Sequence, residues 1–573
     1  MKIKHLFGLA VIAAMTASCS SNEDLGTAGP GTGTNEAGVG YATFTINLPT
    51  TSGTRAGGDP TFVNGDANEY KVNDATLLIF KKGGEATKEG DYTFVESAEL
   101  GSMAPWKDKN EPGVTTHAKI TAKLDNVNRT DQFFALVLLN NGTGTNAKVA
   151  MPSEGDKFSA WNEAKVTDKF ATPENGFYMA NAPLFENNNV TTLVPIVSDK
   201  IYPTEEEAAK NPATDIYVER GLAKVTLGTG TTTAKPVTSD TYQGDEVTIS
   251  KWALDVTNKK AYPIHNVDGL TTDFPDIWSN SSTTASTTNN ATTKRFVDNN
   301  TETKVKRVYW GIDPNYKNTD LCKEDADGTT ARKAEFNYVA NANVKEDPAK
   351  PLYCLENTFN LLNMKQGQTT RIVFKATYKP ASLPTGETTF YKIGKNTAIW
   401  READLKQEIE AAVASVVSGA AGKTTVTLNA KGNDITAAGT HYIAAANISV
   451  TGATITPENI TAINTQLGLN EDKKVGISTY ADGESYYVAR IKHFGDDLTN
   501  WKSGTYTDNL SFLGRYGVLR NNWYELTVNS VSGPGYPSVP DVKPNTPDDE
   551  DDNYIKVSVK ILDWAKRSYT VDL

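Results

Sequence analysis

Two stretches, one near each end of the chain, alternate between apolar and polar residues. Residues 41–48 place one apolar set on a single face: Ala42, Phe44, Ile46 and Leu48. Residues 554–573 repeat the pattern with Ile555, Val557, Val559 and Ile561, and Leu562 and Trp564 follow them. A period of two predicts a β-strand with one apolar face.

The last strand follows a segment of unusual composition, residues 532–553. Its prolines stand at 534, 537, 540, 544 and 547, and five acidic residues follow at 548–552. This composition predicts an extended, solvated tether that cannot pack. Its roughly 22 residues could span at most about 70 Å, at ~3.3 Å each. The last strand could therefore pair far from its neighbour in sequence, or it could close its own domain.

Between these ends, short apolar runs and alternating stretches predict an all-β protein with two tandem sandwiches. Residues 75–80 and 133–139 indicate buried strands of a first sandwich that ends near residue 212. A second sandwich is predicted over 213–531, with strands at 215–227, 247–256, 305–310, 368–378, 485–491 and 523–531. Residues 401–417 alone show a clear helical stripe, which predicts a packing helix: Leu405, Ile409, Ala412, Val413 and Val416.

Net charge and cysteine content reduce the number of functions that the chain could have. The chain has 573 residues and a net charge of −12, which argues against nucleic-acid binding because that needs a basic surface. Cys322 and Cys354 could form a disulfide in an exported protein or could remain two thiols.

The start of the chain predicts export as a lipoprotein. Residues 1–18 combine early lysines with an apolar run too short to span a bilayer, and Cys19 follows small residues as a lipidated cysteine would. An ordinary cleaved signal with an incidental cysteine is the alternative. After the first strand, Arg55 lies in a loop of small residues, where a trypsin-like protease could cut before Ala56.

The sequence contains no pattern that predicts catalysis, a metal site or a cofactor. The five histidines are scattered, none at metal-ligand spacing. No nucleophile elbow is present, and residues 419–424 lack the spacing and context of a phosphate-binding loop. We therefore expect no enzyme activity.

Several stretches together resemble the Bacteroidales fimbrillins, the shaft subunits of type V pili, most closely those of the minor (short) fimbrium. They are the lipoprotein signal and four sequences: Thr-Arg-Ala-Gly at 54–57, Val-Glu-Arg-Gly-Leu-Ala-Lys-Val at 218–225, Tyr-Cys-Leu-Glu-Asn at 353–357 and Val-Leu-Arg-Asn-Asn-Trp-Tyr-Glu-Leu-Thr-Val at 518–528. Val-x-Val-x-Ile-Leu-Asp-Trp at 557–564 completes the set.

The resemblance implies two transthyretin-like sandwiches and assembly by donor-strand exchange. An Arg-specific protease would cut after Arg55 and remove residues 19–55, with the first strand and the lipid that holds the precursor at the outer membrane. The strand in residues 554–573 would then fill the vacated groove of another copy, head to tail, in a surface fimbrium that supports adhesion and biofilm. Accessory tip and anchor subunits would complete the filament.

Two alternatives remain at this point. A surface glycan-binding lipoprotein would use its nine Trp and 24 Tyr as sugar platforms and keep Cys19 attached. A pilus tip or anchor subunit would share the fold, although a tip has no need of a donor strand.

Overall fold

The computed structural model confirms a mostly β protein. It describes residues 33–48, 67–69, 71–100, 117–128, 130–164, 166–167, 170, 176–186, 189–211, 214–270, 306–308, 310–394, 396–428, 440–473, 475–493, 513–548 and the backbone of 555–563. Cys19, Arg55, Ala56 and Trp564 lie outside these residues. The tandem transthyretin-like arrangement stays a prediction.

The strands are numbered along the described chain. They are β1 Gly40–Asn47, β2 Ala75–Lys82, β3 Thr93–Glu99, β4 His117–Leu124, β5 Gln132–Leu139, β6 Val166–Thr167, β7 Met179–Asn181, β8 Leu184–Glu186, β9 Asn189–Thr191, β10 Val194–Ile196, β11 Thr214–Arg220, β12 Leu222–Leu227, β13 Lys235–Pro236, β14 Glu246–Asp255, β15 Thr257–Asn258, β16 Lys260–Ala261, β17 Lys306–Arg307, β18 Phe336–Asn337, β19 Leu352–Leu355, β20 Arg371–Lys379, β21 Phe390–Ile393, β22 Thr424–Val426, β23 Thr440–His441, β24 Ile448–Val450, β25 Ile477–Tyr480, β26 Glu484–Arg490, β27 Asn522–Val531 and β28 Ile555–Asp563. The helices are α1 Phe158–Asn162, α2 Glu205–Lys210, α3 Ala326–Glu335, α4 Glu402–Val416 and α5 Pro457–Gln466.

The first sheet has the order β3-β2-β5-β7-β11-β1-β4, with β10 added to β5. The strands β2 and β5 carry long apolar runs because both of their faces are covered. In β2, Leu77 and Ile79 pack into one core while Leu78 and Phe80 pack into another. The predicted strands at 75–80 and 133–139 are therefore confirmed.

The second region contains two four-stranded sheets, β19-β12-β27-β28 and β13-β14-β20-β26. Alternate side chains of both sheets meet in one core, which includes Val225, Trp252, Phe374 and Leu526. The chain passes from the first sheet to the second at Gly221, between β11 and β12. The domain boundary between residues 212 and 213 stays a prediction.

A smaller unit with its own core lies between β21 and β25. The stripe of the predicted helix is buried there at Leu405, Ile409, Ala412 and Val413, and Val416 packs against it. The expectation of one clear helix is wrong, because α3 and α5 each have ten residues. Both are mostly polar and bury few side chains, so their sequences carry little helical periodicity.

The proline-rich segment before the last strand is not a free tether over residues 532–548, which we call the strap. Tyr536 forms two backbone hydrogen bonds with Tyr486, each 2.8 Å long. Arg371 donates from Nη2 to the Pro540 carbonyl at 2.7 Å. The prediction that this segment cannot pack is wrong because an extended backbone can hydrogen-bond to side chains and to a neighbouring strand. Residues 549–553 lie outside the described residues.

Both cysteines in the described chain are free thiols. Cys354 is buried in the second core, and burial raises its pKa to about 12. Gln368 donates from Nε2 to the Cys322 sulfur at 3.0 Å. Cys322 and Cys354 are therefore two separate thiols in the structure and do not form a disulfide with each other.

Within the described ranges, no helix is long and apolar enough to cross a membrane. The same residues contain no group of three or more His, Cys, Asp or Glu side chains that could hold a metal ion.

The buried ion pair between Arg371 and Asp255 gives a stability prediction. Arg371 Nε and Nη2 each lie 2.8 Å from Asp255 Oδ2, and both side chains are at most 4% exposed. Asp255→Ala should cost about 3–5 kcal/mol, because it leaves a guanidinium buried without its counter-ion. Hydrogen exchange of the β14 and β20 amides measures the local free energy of unfolding.

The matched control is Asp404→Ala, which removes an ion pair with Arg401 whose side chains are 40% and 42% exposed. Exposed pairs contribute little, so this variant should exchange at the parent rate. Equal exchange rates in the two variants would contradict the assigned role of Asp255.

Candidate functional site

The strand β1 lies inside the first sheet, between two strands from later in the chain. It runs antiparallel to β4, with Gly40 opposite Leu124 and Asn47 opposite His117. On its other side it runs parallel to β11, with Phe44 to Asn47 beside residues 214–217. Both edges of β1 are therefore hydrogen-bonded, as in a central strand.

The inward face of β1 completes the core of the first sheet. Phe44 and Ile46 are fully buried, Ala42 is 1% exposed and Leu48 is 8% exposed. Burying a large apolar side chain contributes roughly 1.5–3 kcal/mol. The predicted apolar face of the first strand is thus a substantial part of the core that surrounds it.

The outward face of β1 is covered at one point by the short helix α2. Thr43 is 3% exposed, and its hydroxyl donates to the Ala208 carbonyl at 2.8 Å. The same Oγ1 lies 2.9 Å from Thr121 Oγ1, which donates to it. Sequence alternation marks Thr43 as outward, but only the fold reveals that a helix covers it.

Further contacts hold the start of β1 in place. Tyr41 and Tyr202 exchange two backbone hydrogen bonds of 2.7 and 2.9 Å. A Cβ on Gly40 would lie 2.6 Å from Ile201 Cγ2 and 3.1 Å from Val127 Cγ2. A residue with a side chain therefore fits at position 40 only if these neighbours move.

The two neighbours of β1 depend on it for pairing. Within the described chain, β4 has no ladder partner other than β1. The strand β11 pairs with β7 through residues 218–220 and with β1 through residues 214–217. Without β1, the sheet would have an apolar groove and two rows of unpaired backbone groups, which are costly when buried.

The predicted donor strand β28 lies elsewhere, at the edge of the second sheet. It pairs antiparallel with β27, from Asn522 opposite Asp563 to Val531 opposite Ile555. Among the described strands β27 is its one ladder partner. The positions of Ile555, Val557, Val559, Ile561 and Leu562 all lie in this strand.

The strap is fastened at its far end, shortly before β28. Asp548 is fully buried, hydrogen-bonds to the Thr369 hydroxyl and lies 3.8 Å from Arg490 Nε. Six residues, 549–554, separate this anchor from β28. They span at most about 20 Å at ~3.3 Å each, far less than the whole segment could span.

Residues 67–69, which follow the predicted cleavage site, are attached to strands of both sheets. The Glu69 carboxylate lies 2.6 Å from Lys224 Nζ and accepts a 2.6 Å hydrogen bond from the Tyr353 hydroxyl. Its backbone carbonyl accepts from Arg220 Nε at 2.7 Å. These side chains come from β11, β12 and β19, so residues 67–69 have their own attachment, separate from β1. Sequence reasoning missed this cluster because its members are far apart in the chain.

The C-terminal part of the chain matches a known family. Residues 478–570 match the family model for the C-terminal region of fimbrillin, the major fimbrial subunit protein type IV. This range begins in β25 and includes β26, β27, the strap and β28. No curated protein matches the chain.

Three solved structures, all from Parabacteroides distasonis, show distant similarity. Two are candidate cell adhesion proteins, at 10% and 12% identity with TM-scores of 0.39 and 0.34, and in each pair the alignment covers 92% of this chain and 99% of the other. The third is a fimbrial assembly protein, 8% identical to this chain with a TM-score of 0.23. That alignment covers 39% of this chain and 65% of the fimbrial assembly protein. These scores are too low to establish a shared fold. The family match rests on residues 478–570, a stretch similar to the C-terminal region of fimbrillins.

Proposed function

We propose that this protein is the structural subunit of a fimbrial shaft, assembled head to tail at the cell surface by exchange of the C-terminal strand. The observation that carries the proposal is the position of β1. It is buried and paired on both edges, yet in the sequence it comes shortly before Arg55 and its small-residue neighbours. The match of residues 478–570 to the fimbrillin C-terminal region supports a fimbrial role.

In this proposal β1 keeps the precursor monomeric. The precursor is exported as a lipoprotein on Cys19 and held at the outer membrane. An Arg-specific protease cuts between Arg55 and Ala56 and releases β1 together with the lipid. Residues 67–69 keep their contacts with Lys224 and Arg220, so the new N-terminal segment stays attached to the subunit.

The energetics favour transfer of β28 to the vacated groove. On β27 it has one ladder, whereas between β4 and β11 it would have two. The four residues of its apolar face, Ile555, Val557, Val559 and Ile561, would contribute roughly 6–12 kcal/mol gross on burial, at ~1.5–3 each. Association costs about 4–15 kcal/mol. Because each copy gives a strand to one neighbour and receives one from another, the contact does not close and an open filament forms.

A shaft role accounts for features that the alternatives leave unexplained. A glycan-binding lipoprotein would retain residues 19–55 and would have no use for an exchangeable last strand. A tip subunit would receive a strand but donate none. Accessory tip and anchor subunits would occupy the two ends of the filament, which supports adhesion and biofilm.

Cleavage at Arg55 should be required for assembly. Arg55→Ala should leave the precursor uncut there and monomeric, because β1 continues to fill its groove. N-terminal sequencing after treatment with an Arg-specific protease should give Ala56 for the parent. An unboiled denaturing gel should show a heat-dissociable ladder for the parent and none for the variant.

The matched control is Arg295→Ala, at another arginine in a polar stretch. After protease treatment, the N-terminus of this variant should be Ala56 and the protein should assemble normally. Normal polymers from the Arg55→Ala protein would contradict the proposal.

The residues of β1 should contribute to the stability of the precursor and not to that of the polymer. Phe44→Ala should destabilise the precursor by about 3–5 kcal/mol, because it removes a fully buried aromatic side chain. The polymer made from it should melt like the parent polymer, since β1 has been discarded. Thr45→Ala, at a half-buried position, is the control and should change the urea midpoint little. An equal loss of stability in the polymer would mean that β1 is retained.

The apolar face of β28 should be needed for assembly. Val559→Asp should abolish the ladder after cleavage, because an unpaired carboxylate cannot be buried cheaply. Lys556→Gln, on the alternate face of the strand, should still assemble. Circular dichroism of each precursor checks that it folds. A normal ladder from the Val559→Asp protein would rule out β28 as the donor.

A further inference from the structure

We infer that Ser558 sets the register of the inserted strand by taking the position of Thr43 under α2. This inference rests on the proposed function and specifies how the strand is recognised. Thr43 faces outward but is 3% exposed, whereas Tyr41 and Thr45 beside it are half-buried. The position is therefore a closed polar slot on an otherwise partly solvated face.

The slot requires a small side chain with a hydroxyl group. The Ala208 carbonyl accepts a hydrogen bond there at 2.8 Å, and the Thr121 hydroxyl donates one at 2.9 Å. Removal of β1 takes Thr43 from both groups: the Ala208 carbonyl keeps the Asn211 N–H at 3.2 Å, and the Thr121 hydroxyl loses its partner on β1. A buried polar group that loses a hydrogen bond is costly. Ser and Thr can donate and accept at once from one short side chain.

One residue of β28 meets this requirement. The residues that alternate with its apolar face are Lys556, Ser558, Lys560 and Leu562. A lysine has no acceptor for Thr121 and would bring a charge under the helix. A leucine would supply neither the donor to the Ala208 carbonyl nor the acceptor for the Thr121 hydroxyl. Ser558 alone matches the chemistry of Thr43.

The core side of the strand supports the same register. Residues 555–561 read the same in both directions around Ser558, so with Ser558 at position 43 two valines and an isoleucine take the positions of Ala42, Phe44 and Ile46 whichever way the strand runs. A shift of two residues in either sense puts Lys556 or Lys560 in the slot. The Ser558 register keeps a charge out of the slot.

The Ser558 register places the same residue types along the groove in both directions of the strand. A lysine takes the position of Thr45, whose neighbour on β11 is Asp215; it is Lys560 in the direction of β1 and Lys556 in the reverse direction. An isoleucine, Ile555 or Ile561, takes the position of Gly40, so Ile201, whose Cγ2 lies 2.6 Å from a Cβ there, has to move in either case.

Engineered cysteines measure the register in assembled protein. The parent carries Cys322→Ser, while Cys354 is retained because it is buried. Thr121 lies directly opposite Thr43. Thr121→Cys with Ser558→Cys should give a ladder that survives boiling without reductant. Thr121→Cys with Lys556→Cys should give a ladder that boiling disperses. Crosslinking by the Lys556 pair in place of the Ser558 pair would overturn the register.

A second position tests the register again and measures the direction. Lys119 lies opposite Thr45, so Lys119→Cys should crosslink with Lys560→Cys if the strand runs in the direction of β1 and with Lys556→Cys if it runs in reverse. Crosslinking of Lys119→Cys with Ser558→Cys would overturn the register. A heat-dissociable ladder without any crosslink would overturn the register while leaving strand exchange intact. Absence of a ladder from the Cys322→Ser parent would instead count against the proposed function.

Conservative variants test the hydroxyl itself. Ser558→Thr should assemble like the parent, because it restores the residue type of β1. Ser558→Val has nearly the shape of that threonine but no hydroxyl, and should raise the concentration for half-assembly roughly tenfold or more. Equal assembly of the two variants would contradict the role of the hydroxyl in the slot.

Discussion

The structure depends on one constraint: the place of β1 between β4 and β11 must be filled. Within the described chain β4 has no other ladder partner, and the core beneath includes Phe44 and Ile46 with no exposed surface. A sheet cannot leave such a place open, because both the apolar side chains and the backbone groups would meet water. Whatever strand fills it holds the first sheet together.

The strap limits what can reach that place. Proline-rich composition suggests a long free arm, but Asp548 is buried beside Thr369 and Arg490, and only six residues separate it from β28. A donor strand attached in this way must find its acceptor close to the second sheet of its own subunit. Short linkers also hold two bodies at a defined distance. In a filament built in this way, residues 549–554 would limit the distance between neighbouring subunits, and the length of the whole proline-rich segment would not.

Sequence reasoning succeeded where periodicity decides structure and failed where distant contacts do. The alternation around Phe44 and the apolar run at 75–80 predict strands that the fold contains. Composition predicts an extended strap but cannot show that Tyr536 meets Tyr486 or that Arg371 reaches Pro540. The mostly polar helices α3 and α5 carry too little periodicity to be found. The covered position of Thr43 depends on α2, which lies more than 150 residues later.

The order of events in the proposed assembly follows from how the two strands are attached. In the precursor, β1 belongs to the same chain as β4 and β11, the strands it pairs with. Its effective concentration between them is therefore high, of the order of mM for a short linker. A donor strand from another copy must compete at the far lower concentration of the subunit. The proposed cleavage after Arg55 would remove this advantage, because a released segment is diluted away. In this proposal proteolysis starts assembly by changing the connectivity of β1, and the contacts that β4 and β11 offer to a strand stay the same.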